Sequence, residues 1–237
     1  MSKVSVVTIS KDKNGLDIVK KRLEKQKFKD FEFVGSTKGN IPESWNDAID
    51  RSRGEIIVFT ETDAVPLSEN WLGELVKNLE KYNKNDPEKK TIVKGLEVRS
   101  NMWDLCNTAC YSEVFKKIKF NENFERVEDT EFFTRLKNHN YKGVQLTCAP
   151  VLHWKETKFL TRIKNEFKGS YYRVMVLLKY GHTGFESLEF SSNSKNKILS
   201  AFYRELTNIF CGISHILGAF FGFISYHLGV GKKLWED

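Results

Sequence analysis

Two short acidic clusters are the residues of this 237-residue chain that are best suited to carry chemistry. Glu61 and Asp63 lie in the segment TETDAVP, at the end of the β-branched run EIIVFT. Side chains two residues apart on an extended segment point the same way, and two carboxylates can hold Mg²⁺ or Mn²⁺ while substrate phosphates complete the coordination. The competing interpretation is a solvated turn that caps the helix predicted from residue 71.

The second cluster, Glu128 and Asp129, precedes an amphipathic helix predicted over 128–139. A carboxylate that faces a pocket can act as a general base and take the proton of an attacking hydroxyl. Acidic residues also favour the first turn of a helix because of the helix dipole, so plain capping is the competing interpretation here.

A parallel α/β sheet is the scaffold that the pattern predicts for these clusters, because buried β-branched runs alternate with helical periodicity. Ligands bind beyond the carboxyl ends of parallel strands, and Glu61 and Asp63 fall at that edge. From residue 157 the pattern is helical, so we place a boundary near 155 and expect domains at 1–155 and 156–237. The predicted strands are 3–9, 31–34, 55–60, 91–98 and a final strand pair within 144–154, and the helices include 16–26, 44–52 and 71–82.

Composition excludes several classes of protein. Hydrophobic residues make up 40% of the chain and mean hydropathy is −0.45, which excludes a largely disordered chain and a multi-span membrane protein. The net charge is +7, and residues 155–180 hold seven Lys or Arg against two Glu, which favours an anionic partner or a solvated helix face. The four cysteines match no zinc or disulfide spacing, so a reducing compartment is expected, and the initial strand argues against a signal peptide.

Four segments in order resemble the family 2 glycosyltransferases, which are nucleotide-sugar enzymes of GT-A fold. They are VSVVTISKD, ESWNDAIDRSRGEIIVFTETDAVP, NTACYSEVF and RVEDTEFFTRLKNHNYK, and the resemblance covers about residues 3–155. It implies a Rossmann-like, mostly parallel central sheet flanked by helices, here with a helical C-terminal extension.

The resemblance also implies roles for individual residues and an inverting single displacement from a nucleoside-diphosphate sugar. Asp63 matches a ligand of Mn²⁺ or Mg²⁺ and the diphosphate, Glu61 its donor-side partner, and Asp129 the catalytic base with Glu128 beside it. His153 stands where some relatives present a further metal ligand, and a structural histidine is the alternative. The remaining donor-binding positions are Ser10, Asp12, Ser36 and Asn46.

The sequence also departs from the family pattern. Glu61 replaces the usual first Asp, and no acidic residue follows Val34 closely, where relatives present an Asp for the base. The choice between UDP and GDP donors therefore stays open.

The C-terminal third carries two apolar patterns. Residues 157–180 form one apolar helical stripe flanked by basic residues, so that Arg162 or Arg173 can contact a phosphate or a lipid headgroup. Residues 206–231 lack Asp, Glu, Lys and Arg, and a stripe of small residues includes Gly218 and Gly222. An interfacial or re-entrant helical pair, a single span, and a buried or dimer-forming helix are the three interpretations.

Membrane contact fits a lipid-linked or cell-surface glycan acceptor met at the cytoplasmic face of a membrane, and a homo-oligomer is compatible with the small-residue stripe. Rival functions are a sugar nucleotidyltransferase and a catalytically degenerate sugar-nucleotide-binding module. The loop SKDKNG has one glycine, unlike the Gly-rich phosphate loop expected of a nucleotidyltransferase. Nucleic-acid binding is not expected, since no recognition motif accompanies the basic stretch.

Overall fold

The computed structural model describes residues 3–98, 104–153, 159–181, 213–214 and 216–225. Its strands and helices alternate through most of the chain. Their order is β1 (Val4–Ile9), α1 (Lys13–Glu24), β2 (Phe31–Ser36), α2 (Ile41–Arg51), β3 (Ile56–Phe59), β4 (Ala64–Pro66), α3 (Trp71–Asn83), β5 (Thr91–Lys94), β6 (Glu97–Val98), β7 (Thr108–Tyr111), α4 (Glu113–Lys117), α5 (Glu128–Asn138), β8 (Lys142–Gln145), β9 (Val151–His153) and α6 (Phe159–Tyr180).

A six-stranded sheet in the order β2-β1-β3-β7-β5-β8 forms the centre of the molecule. Strands β2, β1 and β3 are parallel, with Val4 paired to Phe31 on one side and to Ile56 on the other. Strand β8 is parallel to β5, whereas β7 runs antiparallel to both of its neighbours. The expected mostly parallel α/β sheet flanked by helices is confirmed.

Two of the predicted strands are divided differently from expectation. The run 91–98 is split into β5 and β6, and the expected strand pair within 144–154 is split into β8 and β9. In both cases the second half leaves the central sheet for a small sheet of order β4-β9-β6. The first division occurs at Gly95, where a Cβ atom would lie 2.6 Å from the carbonyl oxygen of Ala149, so a side chain does not fit at the crossing.

Successive side chains of the buried strands point to opposite faces of the sheet and pack into two hydrophobic layers, one on each face. Val6 packs into the layer that contains Trp71 of α3, and the next residue, Val7, packs into the layer that contains Trp45 of α2 and Phe132 of α5. Strands β1, β3 and β5 are buried on both faces, and their carboxyl ends therefore have fixed positions from which to place side chains.

Helix α6 lies against the segment before α5 through Met175 and Val176, which pack on Phe124. The described helical residues 213–214 and 216–225, here called the C-terminal helical segment, pack on a different face of α6. The Ser214 hydroxyl donates a 2.8 Å hydrogen bond to the Ile163 carbonyl, and Gly218 lies directly against the backbone of α6. The rest of the run 206–231 and the boundary near 155 lie outside the described residues.

No helix within the described ranges has the length and apolar character needed to cross a bilayer. The described small residues of the stripe instead allow two helices to approach closely, which is what such residues do between packed helices. The membrane and oligomer interpretations of this region stay predictions.

Candidate metal site and active site

The loop after β3 is fixed from two sides. Arg22 of α1 donates from Nη1 to the carbonyl oxygens of Thr62 at 2.7 Å and Ala64 at 3.1 Å. Strand β4 then pairs antiparallel with β9, which sets Ala64 opposite His153. The carboxylates that flank Thr62 are thereby carried to the end of β9.

Glu61, Asp63 and His153 converge in a cluster. The His153 Nε2 atom lies 3.3 Å from Asp63 Oδ1 and 3.4 Å from Glu61 Oε2, and one ligand atom from each residue lies within 4.8 Å of the others. The side chains of Glu61 and Asp63 are 27% and 29% exposed, so the cluster is reachable from solvent. His153 Nε2 itself is buried and makes no hydrogen bond.

This cluster fits a divalent cation on the chemistry of its donor atoms. The closeness of Asp63, then Glu61 and Glu97, raises the pKa of His153 to about 12, so without a cation the ring is protonated and balances the carboxylates. An imidazole nitrogen with two carboxylate oxygens is a suitable ligand set for Mn²⁺ or a similar ion. Such an ion would take the place of the Nε2 proton between the ring and the two carboxylates.

A second group that could hold a metal among the described residues consists of Glu97, Cys106 and His153. Burial raises the pKa of the Cys106 thiol well above its ordinary value, and the thiolate is the form that binds metals. Glu97 is already engaged by the buried ammonium of Lys94. The donor set on the Glu61 side is therefore the better suited of the two.

Glu128 and Asp129 begin α5, immediately after Val127, whose φ of 57° is in the left-handed region. That conformation is strained for a β-branched residue, and such strain is concentrated at functional sites. No side chain caps this helix end, and the Asp129 carboxylate accepts a 2.6 Å bond from the Thr130 amide.

The electrostatics of α5 link these two carboxyls to the acidic cluster. Burial, then the charge of Asp104, raises the pKa of Asp129 to about 6. Burial, then the charge of Asp129, raises the pKa of Glu128 to about 8. The charge of Glu61 also contributes to both shifts, after larger effects. At pH 7 Asp129 is therefore mostly ionised and Glu128 mostly protonated.

The predicted donor-binding residues occupy the loops after β1 and β2 and the face of α2. Asp12 caps α1 by accepting from the Gly15 amide at 2.9 Å, and the Ser10 hydroxyl accepts from the Asp12 amide at 3.3 Å. Asn46 binds the backbone of Phe120 through both ends of its amide, at 3.0 Å each, and thereby joins α2 to the segment before α5. The structure thus gives Asp12 and Asn46 structural contacts.

Ser36 at the end of β2 donates a 2.8 Å hydrogen bond to Asp47 of α2. Sequence analysis found no acidic residue near Val34 because it considered only the residues that follow the strand. Asp47 comes from the next helix, eleven residues after Ser36, and its pKa is lowered by the Ser36 hydrogen bond and by Arg51, although slight burial opposes the shift. An ionised carboxylate therefore does lie at this strand end.

Sequence reasoning missed the buried Lys94 and Glu97 and the partly buried Asp104, a charged group that reaches His153 through Glu97. A lysine inside the apolar run TIVKG was the available signal, since lysine is almost never fully buried unless it is paired. Of the two arginines expected to contact phosphate, Arg173 is half-buried on α6. Arg162 also lies in α6, and its side chain is outside the described part of the chain.

Solved structures with a similar fold include glycosyltransferases. The mannosyltransferase PcManGT from Pyrobaculum calidifontis, in complex with GDP-Man and Mn²⁺, has a TM-score of 0.60 and 13% identity over 92% of this chain and 73% of its own. The S. aureus TarS fragment 1–349 has a TM-score of 0.53 and 13% identity over 96% and 92%.

Glucosyl-3-phosphoglycerate synthase from Mycobacterium tuberculosis, in complex with Mn²⁺, UDP and glucosyl-3-phosphoglycerate, has a TM-score of 0.52 and 12% identity over 76% and 80%. The chain has the GT-A fold. No family model matches the sequence, and no curated protein matches it. At these identities the likeness extends to the fold, and the function rests on the site.

Proposed function

We propose that this protein is a glycosyltransferase that moves a sugar from a nucleoside-diphosphate sugar to an acceptor hydroxyl. The observation that carries the proposal is the convergence of Glu61, Asp63 and His153 at the carboxyl end of β3 on a GT-A fold. It is supported by the similar structures of PcManGT in complex with GDP-Man and Mn²⁺ and of glucosyl-3-phosphoglycerate synthase in complex with Mn²⁺ and UDP.

Asp63, Glu61 and His153 would hold a divalent cation, Mn²⁺ or Mg²⁺. When bound, the cation neutralises charge that develops on the diphosphate leaving group. Asp129 is the general base: it takes the acceptor proton as the acceptor oxygen bonds to the anomeric carbon and the bond to the diphosphate breaks. One displacement inverts the anomeric centre, as in the family 2 enzymes that the sequence resembles.

Glu128 is a poor general base at neutral pH because its raised pKa keeps it protonated. A protonated carboxyl beside Asp129 can donate a hydrogen bond and adds no second charge to the site. The two neighbouring acids are thus assigned different roles by their surroundings rather than by their residue type.

The donor is a UDP- or GDP-sugar, bound near the loop that contains Ser10 and Asp12 and the strand end at Ser36 beside Asn46. A thermal-shift screen of UDP-, GDP- and dTDP-sugars, each with and without Mn²⁺, tests this, because a ligand that binds only the folded protein raises the midpoint. We expect one nucleotide class to raise the midpoint, and only with the cation. Binding without any transfer or hydrolysis of the sugar would instead favour a degenerate binding module.

The C-terminal helical segment is the proposed membrane contact, with a lipid-linked or cell-surface glycan as acceptor at the cytoplasmic face. Its outer face is apolar, with Ile216 67% exposed, Phe220 57% and Phe223 50%. Apolar side chains on one face of a helix enter the headgroup region, and basic residues of the adjoining helix α6 such as Arg173 attract anionic lipids.

Flotation with vesicles of phosphatidylcholine and phosphatidylglycerol tests the membrane contact. The full chain is expected to float with the vesicles, and a Phe220→Ser/Phe223→Ser variant is expected to stay in the soluble fraction. Leu67→Ser, which changes a 52% exposed leucine elsewhere, is the matched control and should float as the parent does. If the parent chain stays in the soluble fraction and elutes as a dimer, the apolar face binds a second copy of the chain and not a membrane.

A further inference from the structure

A series of contacts between charged side chains connects Lys94 of the central sheet to the Nδ1 atom of His153. The Lys94 ammonium, 1% exposed, contacts Glu97 Oε1, lies 2.6 Å from Asp104 Oδ1 and donates to the Cys106 carbonyl at 2.6 Å. The other oxygen of the buried Glu97 carboxylate, Oε2, lies 3.2 Å from His153 Nδ1. The function proposed above uses none of Lys94, Glu97 and Asp104 directly.

The geometry assigns the two ring nitrogens of His153 to different partners. Nδ1 faces Glu97, whereas Nε2 faces Glu61 and Asp63. An ionised carboxylate only accepts hydrogen bonds, so the hydrogen bond to Glu97 places a proton on Nδ1. Without a cation Nε2 carries a proton as well; when a cation takes the place of that proton, the remaining ring proton stays on Nδ1 and the Nε2 lone pair is directed at the acidic cluster.

We propose that Glu97, held by Lys94, is a positioning residue that fixes the ring orientation and tautomer of His153 for a divalent cation shared with Glu61 and Asp63. The inference rests on the cation site of the proposed function. Carboxylates commonly orient metal-binding histidines in this way, and losing one typically reduces metal affinity about 10–100-fold.

The cost of this arrangement argues that it serves the site rather than stability. Burying an ammonium and a carboxylate removes both from water, and apolar residues of similar volume often give equal or greater stability. Lys94 holds Glu97 in place while leaving Oε2 directed at His153, so the lysine restrains the carboxylate without occupying the oxygen that orients the ring.

The test compares Mn²⁺ binding by calorimetry, with the metal as the only ligand, in the full-length protein and its variants. Glu97→Gln preserves size, but its amide can also donate to Nδ1, which moves the ring proton to Nε2 and removes the metal-binding lone pair. We expect the Kd for Mn²⁺ to rise about 10–100-fold in Glu97→Gln. The control His139→Ala changes an exposed histidine at the end of α5 and should leave the Kd unchanged.

Nitrogen-15 spectra of His153 in the presence of Mg²⁺ give a readout that a general loss of stability would not reproduce. The parent protein should show a protonated Nδ1 and an unprotonated, metal-bound Nε2, and Glu97→Gln should lose that preference. If Glu97→Gln does not fold because Lys94 is left underpaired, Lys94→Met/Glu97→Gln removes both charges and carries the same expectation.

The outcomes separate failure of this inference from failure of the proposed function. Mn²⁺ binding that His153→Ala weakens but Glu97→Gln leaves intact would overturn the positioning role alone. Equal weakening by Cys106→Ala and His153→Ala would place the ion on the Glu97 side and overturn it as well. A parent protein that binds no Mn²⁺, with or without a nucleoside diphosphate, would overturn the cation site itself.

Discussion

Asp129→Asn should stabilise the protein at neutral pH while it abolishes transfer. Burial and the charges of Asp104 and Glu61 lift the pKa of Asp129 from 3.8 to about 6, so the folded state favours the protonated form. The stability that protonation of Asp129 supplies is fully present below pH 3.8 and is lost as the pH rises through about 6. The shift corresponds to at most about 3 kcal/mol, and solvent screening of a half-buried group reduces the expected gain to about 1–2 kcal/mol.

The same pKa predicts the acid limb of the activity profile. A base with a pKa of about 6 is roughly one-tenth ionised at pH 5, so kcat/KM should fall there by up to about tenfold below its plateau, whereas an ordinary Asp would still be mostly ionised. A bound cation removes the effect of Glu61 but not that of burial or Asp104, so the limb should lie between 3.8 and about 6.

The assays are sugar transfer between pH 4.5 and 8 and urea unfolding of the parent and Asp129→Asn at pH 7.5 and 4.5. The variant should lose about 10²–10⁴-fold in turnover, and its gain in stability over the parent should be about three times larger at pH 7.5 than at pH 4.5, because part of the gain persists down to the unfolded-state pKa of 3.8. Asp50→Asn, which removes an exposed carboxylate paired with Lys119, should change neither quantity appreciably. Turnover of Asp129→Asn near that of the parent, or equal stability at both pH values, would refute the reasoning.

Three further changes test the site and its supports. Asp63→Ala should abolish Mn²⁺-dependent binding of a nucleoside diphosphate by calorimetry, and retained binding would remove Asp63 from the cation site. Asn107→Ala should lower the free energy of unfolding by about 3 kcal/mol or more in urea titrations, since the Trp71 indole and two backbone carbonyls lose their partner and alanine is strained at a φ of 59°. A loss under about 1 kcal/mol would contradict that account. Gly218→Ala should raise amide exchange across 216–225, because the added methyl meets the Phe167 carbonyl; unchanged exchange would mean that the helices are not in such close contact.

The sequence predicts where most of the parallel strands and helices follow one another along the chain, because each has its own local pattern of apolar residues. Strands β1 and β3 are β-branched and buried on both faces, and helices α2 and α3 have apolar residues at helical spacing. The positions of Glu61 and Asp63 follow from the end of β3, so both carboxylates of the cluster with His153 were accessible to sequence reasoning.

What could not be predicted depends on pairing between distant segments. The antiparallel strand β7 enters the centre of the sheet between β3 and β5, and nothing in its four residues encodes that position. Ser36 meets Asp47 across a turn and a helix, and Glu97 meets His153 across 56 residues. Local periodicity contains no information about such contacts, which are set by the tertiary packing.

The places where the strand predictions were wrong are also the places that build the site. If 91–98 were one straight strand of the central sheet, Glu97 would continue along β5 instead of joining β6. Because the chain leaves that sheet at Gly95, strands β4, β9 and β6 form a small sheet. Asp63 directly precedes β4, His153 is the last residue of β9, and Glu97 is the first residue of β6. The two carboxylates and Glu97 therefore reach His153 from opposite sides of one ring. The departure of the chain from the central sheet at Gly95 thus has a structural consequence, because it brings a carboxylate to each of the two ring nitrogens of His153.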